Sequence, residues 1–356
     1  MGATERTGVP LRALNTFAVQ AHAARLIEVD AATDLETLAG RLRDSTPPLV
    51  LGGGSNVLFT RDPPMPIVRI AIRGRRVRSE DERGVLVEAG AGENWNDFVQ
   101  WTLARGLVGL ENLSLIPGTV GASPIQNIGA YGVEMRERFD SLEAVSLRDG
   151  TRRRFDAAEC RFGYRDSVFR HDEGREWAIA AVRFRLAREA PLQLDYGEIR
   201  EELRALEVVR PSANDVARAV CAIRRRKLPD PAVLGNAGSF FRNPVVEVAV
   251  ADALSVRHPQ MPRFPASPAT PATPRGVSGD DARCGERVKL SAAWLIERCG
   301  WKGFREGDAG VHERHALVLV NHGAATGAQI AALARRIVES VRDRFGIVLE
   351  PEPTIV

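Results

Sequence analysis

The stretch from residue 116 to residue 132 places the strongest limit on what this 356-residue chain can fold into. Its sequence is IPGTVGASPIQNIGAYG, so glycine, proline and amide residues alternate with small apolar ones. Prolines and glycines prevent a continuous helix, and the apolar residues do not suit a solvated linker. A backbone laid along a flat, hydrogen-bonding ligand would have this composition, because glycine permits close approach. A packed loop without a ligand also explains it.

A second glycine segment follows a predicted β-α-β unit. Residues 26–29 predict a strand, Thr33 and Glu36 predict a capping box that opens a helix, and residues 49–51 predict a second strand. That strand runs into GGGSN at 52–56, where main-chain N–H groups can converge on an anion. No lysine follows, so this is not a Walker A loop. A plain tight turn is the alternative.

A third segment, GNAGSFFRN at 235–243, surrounds the hydroxyl of Ser239 with small residues and follows Lys227 closely. It predicts a loop that holds Ser239 against a ligand, with a glycine-rich turn before a strand as the alternative.

The remaining elements follow from periodicity and turn signals. Asp149-Gly150 predicts a hairpin. Residues 15–17 are uninformative by themselves, although a polar pair at a strand start could touch a cofactor. The proline-rich residues 259–287 predict a mobile insertion without a regular β-ladder. Further strands are expected at 85–89, 142–147, 151–155, 177–186, 316–320 and 348–349, and further helices at 95–103, 214–227, 289–299 and from a capping box at 326–329 onward.

Composition excludes several classes of protein. The net charge is only +3, which gives no strong case for nucleic-acid binding. The four cysteines form no C-x-x-C pair, so a zinc site or disulfide framework is not expected. His312 and His315 lack a third ligand at a defined spacing, and no metal is expected. With no signal peptide and no apolar run of about 18 residues, the sequence predicts a cytoplasmic protein that does not bind membranes.

Seven segments, in their order along the chain, resemble the UDP-N-acetylenolpyruvoylglucosamine reductase family. The segments are 15–17, 51–56, 116–132, 164–167, 227–230, 235–243 and 349–352. Each is modest alone, and their order makes the resemblance specific. The resemblance implies an α+β fold: a two-part FAD-binding module of the vanillyl-alcohol-oxidase type, then an α+β substrate-binding domain. The expected domains are 1–70 and 71–228, which bind FAD, and 229–356.

The resemblance also implies two cofactors and a set of site residues. FAD is bound non-covalently and NADPH donates the hydride. The implied catalytic residues are Arg165, Ser239 and Glu352, and the substrate-binding residues are Tyr196, Lys227 and Asn243. Tyr196 indicates the subgroup whose tyrosine covers the substrate's diphosphate. The expected FAD contacts are Gly52, Gly53, Gly54, Ser55, Asn56, Pro117, Gly118, Gly121, Ala122, Gln126, Asn127, Gly129 and Tyr131.

The implied reaction adds a hydride and a proton across the C=C bond of a UDP-sugar enolpyruvyl ether, in a monomeric enzyme of peptidoglycan precursor synthesis. Arg165 suits the carboxylate, because its fork stabilises developing negative charge. Ser239 is the expected proton donor. Glu352 either hydrogen-bonds the carboxylate or relays a proton.

Three other functions stay open on the sequence. A flavin oxidase would use O₂, and a nucleotide-sugar or flavin-binding module would not need all three catalytic residues. A serine hydrolase is disfavoured because Ser239 has no G-x-S-x-G context and no evident histidine partner.

Overall fold

The computed structural model describes residues 2–42, 46–266 and 287–356. Its strands, in chain order, are β1 Thr4–Pro10, β2 His22–Val29, β3 Leu49–Leu51, β4 Val57–Leu58, β5 Ile67–Ile70, β6 Arg75–Asp81, β7 Gly84–Gly90, β8 Gly129–Ala130, β9 Val133–Glu134, β10 Phe139–Ser146, β11 Arg152–Asp156, β12 Trp177–Leu186, β13 Gly235–Ser239, β14 Val245–Glu247, β15 Arg263–Pro265, β16 Arg287–Leu290, β17 Arg305–Glu306, β18 Ala309–Val311, β19 Val318–Asn321 and β20 Thr354–Ile355. Its α-helices are α1 Ala32–Leu42, α2 Trp95–Leu103, α3 Ala157–Cys160, α4 Ile199–Ala205, α5 Ala213–Lys227, α6 Val248–Arg257, α7 Ala292–Arg298 and α8 Gly327–Phe345.

The chain divides into two compact units. Unit 1 consists of residues 1–14, 21–55 and 62–227, and unit 2 consists of residues 15–20, 56–61 and 228–356. Two short segments from early in the sequence therefore belong to the unit formed mainly by the last third of the chain. The division of the first 228 residues into two FAD-binding domains stays a prediction.

The first sheet of unit 1 has the order β1-β2-β5-β3. Strands β2 and β3 both run parallel to β5, which lies between them, so the predicted β-α-β unit is confirmed. The helix between them buries Leu35, Leu38 and Leu42, as its spacing predicts. It begins at Ala32, however, so the capping box expected at Thr33 is wrong: Thr33 lies within the helix.

The second sheet of unit 1 has the order β11-β10-β12-β7-β6 and is antiparallel throughout. The hairpin expected at Asp149-Gly150 joins β10 to β11, and Gly150 has a φ of +79°, which suits such a turn. Helix α2 buries Trp95 and Phe98, which contact Phe184 of β12. This aromatic core supports the chain that continues into residues 116–132.

Unit 2 contains a sheet of order β13-β19-β18-β17. The capping box predicted at its long helix is confirmed, because the Thr326 and Gln329 side chains each accept from the other residue's main-chain N–H. Helix α8 buries Ile330, Leu333 and Ile337 among other residues. The strand predicted at 316–320 is present as β19, and all four of its residues are buried.

Several predictions were wrong in unit 2. The expected helix at 289–299 begins only at Ala292, after strand β16 and the N-cap Ser291. Residues 348–349 form no strand, and the last strand is β20. Asn15 and Thr16, whose sequence was uninformative, lie in a turn. Strands β15 and β16 pair at the two ends of the proline-rich segment, so a ladder does form there, while residues 267–286 lie outside the described residues.

No helix in the described part of the chain is both long enough and apolar enough to cross a membrane.

Candidate active site

Two of the predicted cofactor segments lie against each other in unit 1. A Cβ atom added to Gly52 would lie 2.6 Å from Thr119 Oγ1, and one added to Gly53 would lie 3.2 Å from the Cα of Gly118. The Ser55 hydroxyl donates to the carbonyl oxygen of Pro117 at 3.3 Å. At Gly53 the two backbones approach closely, whereas a Cβ on Gly52 or Gly118 would meet the hydroxyl of Thr119 or Ser55, so the contact between the turns requires these glycines.

The remainder of the loop at 116–132 is held by the protein itself. Asn127 is fully buried with a φ of +44°; its Nδ2 donates to Gly163 O at 2.9 Å and to Glu134 Oε2 at 3.1 Å, and its Oδ1 accepts from Arg136 N. Both amide hydrogens of Asn127 are therefore used inside the protein. Gly121 also has a packing role, because a Cβ there would lie 2.4 Å from the Cβ of Ala91.

Two other members of the predicted FAD set have clear neighbours. Gln126 Oε1 accepts from Arg170 at 3.1 Å. Ala122 lies beside the first turn, with its Cβ 3.8 Å from a Cβ built on Gly52. Contacts of these residues with FAD stay a prediction.

Arg165 stands in unit 1 in a left-handed backbone conformation, with a φ of +53°. A residue with a side chain adopts this conformation at a cost of about 1–3 kcal/mol, and such residues cluster at functional sites. The Arg165 Nη2 donates to the carbonyl oxygen of Gly129 at 2.5 Å. Ser167, two residues later, donates to Ile125 O. Both bonds tie the Arg165 segment to the loop that contains the predicted FAD contacts.

Tyr131 and Tyr196 lie close together in unit 1. A Cβ on Gly132, which has a φ of +81°, would lie 3.1 Å from the Tyr196 Cβ. Tyr131 also has a left-handed backbone, with a φ of +50°, and Asn112 Nδ2 donates to its carbonyl oxygen at 2.9 Å. Burial raises the pKa of the Tyr131 phenol. Tyr196 is about half exposed, as expected for a side chain in a polar loop.

Lys227 ends helix α5, and its Nζ lies 2.8 Å from Glu198 Oε1. Hydrogen bonds from Lys227 and Arg226 lower the pKa of Glu198. Glu198 immediately precedes α4 and is two residues from Tyr196, so Lys227 is anchored next to the tyrosine that shares its predicted role.

Ser239 is in unit 2, at the end of strand β13. This segment was expected to be a loop; it is instead an irregular strand, because the pairing register with β19 shifts between Asn236 and Ser239. Gly238 has a φ of +69° and donates its N–H to Asn236 Oδ1 at 2.9 Å. The glycine thus allows a bulge that sets the direction of the following serine.

Glu352 is also in unit 2 and lies beside the same strand. Its N–H donates to the carbonyl oxygen of Phe240 at 2.8 Å, and Phe241 forms a β-bridge with Pro351. Arg242 donates its N–H to Glu350 O and forms an ion pair with the Glu350 carboxylate. These contacts bring Glu352 next to the residue after Ser239.

Two other predicted site residues of unit 2 make structural contacts. Asn56 Nδ2 donates to Glu352 O at 3.3 Å, so Asn56, expected to contact FAD, also holds the last segment of the chain. Asn243 Oδ1 accepts from the N–H of Ala292 at 2.9 Å, and its contact with substrate stays a prediction.

The sequence reasoning singled out neither Arg224 nor Thr16 as a single site residue. Each has one buried polar atom, Nε of Arg224 and Oγ1 of Thr16. Within the described residues, neither atom has a hydrogen-bond partner. The signal for Arg224 was the phase of α5, because it follows the buried Val220 by four residues.

Two histidines of unit 2 directly follow strands: His312 follows β18 and His322 follows β19. Burial lowers the pKa of both His312 and His322. Across the described ranges, no group of three or more His, Cys, Asp or Glu side chains could hold a metal ion.

Two family models match separate parts of the chain, and the second match begins close to the start of the last segment of unit 2. Residues 23–156 match the FAD binding domain, which spans both glycine turns, and residues 230–356 match the C-terminal domain of UDP-N-acetylenolpyruvoylglucosamine reductase. These matches confirm the expected fold class, an FAD-binding module followed by an α+β domain.

Individual proteins match over nearly the whole chain. The UDP-N-acetylenolpyruvoylglucosamine reductase of Pseudomonas aeruginosa is 53% identical over 97% of both chains. The enzyme of the same name from Chromobacterium violaceum is 54% identical over 99% of this chain and 98% of that protein. The crystal structure of the Thermus caldophilus reductase has a TM-score of 0.63 at 24% identity, covering 100% of this chain and 99% of that one, which supports the fold. By these similarities, the chain belongs to the UDP-N-acetylenolpyruvoylglucosamine reductase family.

Proposed function

We propose that this protein reduces the enolpyruvyl double bond of UDP-N-acetylglucosamine enolpyruvate to give UDP-N-acetylmuramate, with FAD as its cofactor and NADPH as the electron donor. The similarity to named reductases over 97% of both chains carries the proposal. The closely apposed glycine turns support it, because they lie inside the region that matches an FAD-binding domain.

The residues fit a flavin nucleotide. Main chain without side chains at Gly52, Gly53 and Gly118 leaves N–H groups able to approach a diphosphate. The rest of the set that we propose to hold FAD is Gly54, Ser55, Asn56, Pro117, Gly121, Ala122, Gln126, Asn127, Gly129 and Tyr131, of which Asn127 would contribute through its main chain. Bound FAD would accept two electrons from NADPH and supply the hydride for the vinyl carbon of the substrate.

We assign Arg165 to the substrate carboxylate. As charge develops next to that carboxylate, a fixed guanidinium fork stabilises it, and a preorganised donor of this kind is typically worth about 3–4 kcal/mol. The left-handed backbone of Arg165 and its bond to Gly129 O support the assignment, because both fix the direction of the side chain.

We assign Ser239 as the donor of the proton that the α carbon receives. The bulge at Gly238 supports this role, because it gives the serine a direction that a regular strand would not. Glu352 is held beside Phe240 by main-chain pairing and shares the proposed chemistry. It either hydrogen-bonds the substrate carboxylate or relays the proton to Ser239.

Tyr196, Lys227 and Asn243 are the proposed substrate-binding residues, with Tyr196 over the diphosphate as in the subgroup that has this tyrosine. The exposure of Tyr196 supports a side chain that closes over a ligand. Lys227 pairs with Glu198, two residues after Tyr196, so its ammonium lies near the tyrosine that shares its proposed role. A cytoplasmic location and a monomeric state remain predictions of the sequence.

Purified protein tests this proposal directly. We expect a yellow protein whose NADPH consumption depends on UDP-N-acetylglucosamine enolpyruvate, with one NADPH oxidised per substrate reduced. A colourless protein, or NADPH oxidation that needs O₂ and not the substrate, would contradict the proposal and favour a binding module or an oxidase respectively. Denaturation should release the flavin, since the proposed FAD is not covalently attached.

A further inference from the structure

Helix α5 ends in a run of four basic residues whose side chains lie in different environments. Arg226 and Lys227 are exposed and pair with the carboxylates of Glu198 and Glu202. Arg225 is exposed as well. Arg224 differs from all of them, because it continues the buried face of the helix and is only partly accessible.

The guanidinium of Arg224 is poorly compensated. Its Nε is buried and has no hydrogen-bond acceptor in the described part of the chain, and no carboxylate there forms an ion pair with it. Burial lowers the pKa of Arg224, opposed only by Tyr131 and Cys221. A buried cation without a counter-charge is costly, so a site of this kind favours an anion from outside the protein.

The surroundings of Arg224 show where that anion would bind. Tyr131 packs against the buried face of α5, which includes Val220 and Ile223, so its ring lies on the side of the helix that Arg224 continues. Tyr131 is fixed by the Asn112 bond to its carbonyl oxygen, and Gly132 lies against Tyr196. Arg224 and the two tyrosines are therefore neighbours in unit 1. Guanidinium groups match phosphate oxygens in pairs, and phenols add further donors.

We propose that Arg224 binds a phosphate oxyanion of a nucleoside diphosphate group. The inference rests on the proposed function and deepens it, because FAD and the UDP-sugar both carry a diphosphate. The chemistry is the same for either source, and the experiment separates them. Arg224 is then a binding residue, and Arg225 is a neighbour of equal charge without that role.

The experiment compares Arg224→Gln with Arg225→Gln in the flavin-loaded protein. Each variant loses one positive charge from the same helix, so their net charges match. Calorimetry gives the Kd of UDP, and flavin fluorescence after dilution gives the rate of FAD release. Because a hydrogen bond to a charged group contributes about 1.5–3 kcal/mol, we expect Arg224→Gln to weaken one of these two ligands about tenfold to hundredfold. Arg225→Gln should change neither by more than about twofold.

The outcomes separate the two sources. A higher Kd for UDP with normal flavin retention assigns the oxyanion to the UDP-sugar, and faster flavin release with an unchanged Kd for UDP assigns it to FAD. If the wild-type protein binds both ligands and Arg224→Gln behaves like Arg225→Gln, the proposal is wrong and Arg224 is a structural cation. Wild-type protein that holds neither flavin nor UDP would instead overturn the proposed function.

A second variant covers the case in which Arg224→Gln does not fold. Arg224→Lys keeps the charge but loses the planar fork, so a folded Arg224→Lys should weaken the same ligand by a smaller factor, about threefold to tenfold. Unchanged binding of both ligands in this variant would also overturn the proposal.

Discussion

The proposed FAD-binding turns of unit 1 and the proposed proton-donor segments of unit 2 are built in different ways. In unit 1, the turn at 52–55 and the turn at 117–119 meet with their backbones in contact, and a Cβ at Gly52 or Gly118 would overlap a neighbouring side-chain oxygen. In unit 2, Ser239 and Glu352 belong to segments joined by main-chain hydrogen bonds between residues 240–242 and 350–352. The first arrangement depends on the absence of side chains, whereas the second depends on pairing between backbones.

This difference predicts different sensitivity to mutation. A steric contact between glycines tolerates almost no substitution, because even a methyl group must displace backbone or a hydroxyl. Main-chain pairing tolerates substitution of most side chains that point away from the paired segments. Unit 1 should therefore lose its cofactor through small changes in packing, and unit 2 should lose activity when a reacting or substrate-binding group is removed.

Removing the Ser239 hydroxyl should have the largest effect. A positioned acid contributes about 10²–10⁴-fold to the rate, so Ser239→Ala should slow reoxidation of the reduced flavin by substrate to this extent. Reduction of the flavin by NADPH should stay within about twofold, and stopped-flow absorbance of the flavin measures both steps. Ser55→Ala in unit 1 is the matched control, because it removes a hydroxyl that bonds Pro117 O and should affect flavin retention instead. Equal slowing of both steps in Ser239→Ala would exclude the proton-donor role.

Gly118→Ala should have the next largest effect. Gly118 has a φ of +119°, and its Cβ would lie 2.8 Å from Ser55 Oγ. A methyl group at this distance would push the two turns apart, and overpacking of this kind costs about 1–3 kcal/mol, so flavin affinity should fall about tenfold to hundredfold. Gly106→Ala serves as the control, since Gly106 also has a positive φ but nothing within 4 Å of its Cβ. Titration of the apoprotein with FAD measures both affinities, and equal losses in the two variants would mean that the contact between the turns is unimportant.

Tyr196→Phe should have a smaller effect, restricted to the substrate. Loss of one hydrogen bond from a half-exposed side chain costs about 0.5–1.5 kcal/mol, so the KM for the UDP-sugar should rise about threefold to tenfold with little change in kcat. Steady-state kinetics with varied substrate provides the test. A change in kcat with an unchanged KM would remove Tyr196 from the diphosphate site.

The ion pair between Arg242 and Glu350 should contribute least. Such partly exposed pairs are worth about 0–1 kcal/mol, and main-chain bonds already join the two segments. We therefore expect Arg242→Ala to reduce kcat less than about threefold. Glu352→Gln, two residues after Glu350 in the same paired segment, should reduce it far more. A large loss in Arg242→Ala would show that backbone pairing alone does not position Glu352.

Local patterns accounted for much of the fold. The capping box at Thr326, the hairpin at Gly150 and the strand at 177–186 all depend on residues near one another in the sequence, and each is confirmed. The strand at 348–349 was wrong, although Leu349 is buried, because burial of an extended segment does not require a paired neighbour. Hydrophobicity alone cannot distinguish a paired strand from a buried extended segment without a paired neighbour.

The candidate site was harder to derive in detail. Ser239 and Arg165 could be named from short segments, but the structural role of Asn127 depends on Gly163, 36 residues later. Asn56 likewise bonds a residue 296 positions away. Hydrogen-bond partners that are so distant in the sequence cannot be predicted from local sequence patterns. The distinction between Arg224 and Arg225 was available, in contrast, since it requires only the phase of one helix.

The parallel pairing of β20 with β4 has a consequence for how the protein acquires activity. Thr354 and Ile355 pair with Val57 and Leu58, and Thr60 N–H donates to Val356 O, which is 296 positions later in the chain. At a synthesis rate of about 5–20 residues per second, strand β4 waits on the order of 15–60 seconds for its partner. Unit 1 contains no residue beyond 227 and can begin to fold much earlier. A nascent chain should therefore gain the ability to hold flavin before it gains the ability to use it.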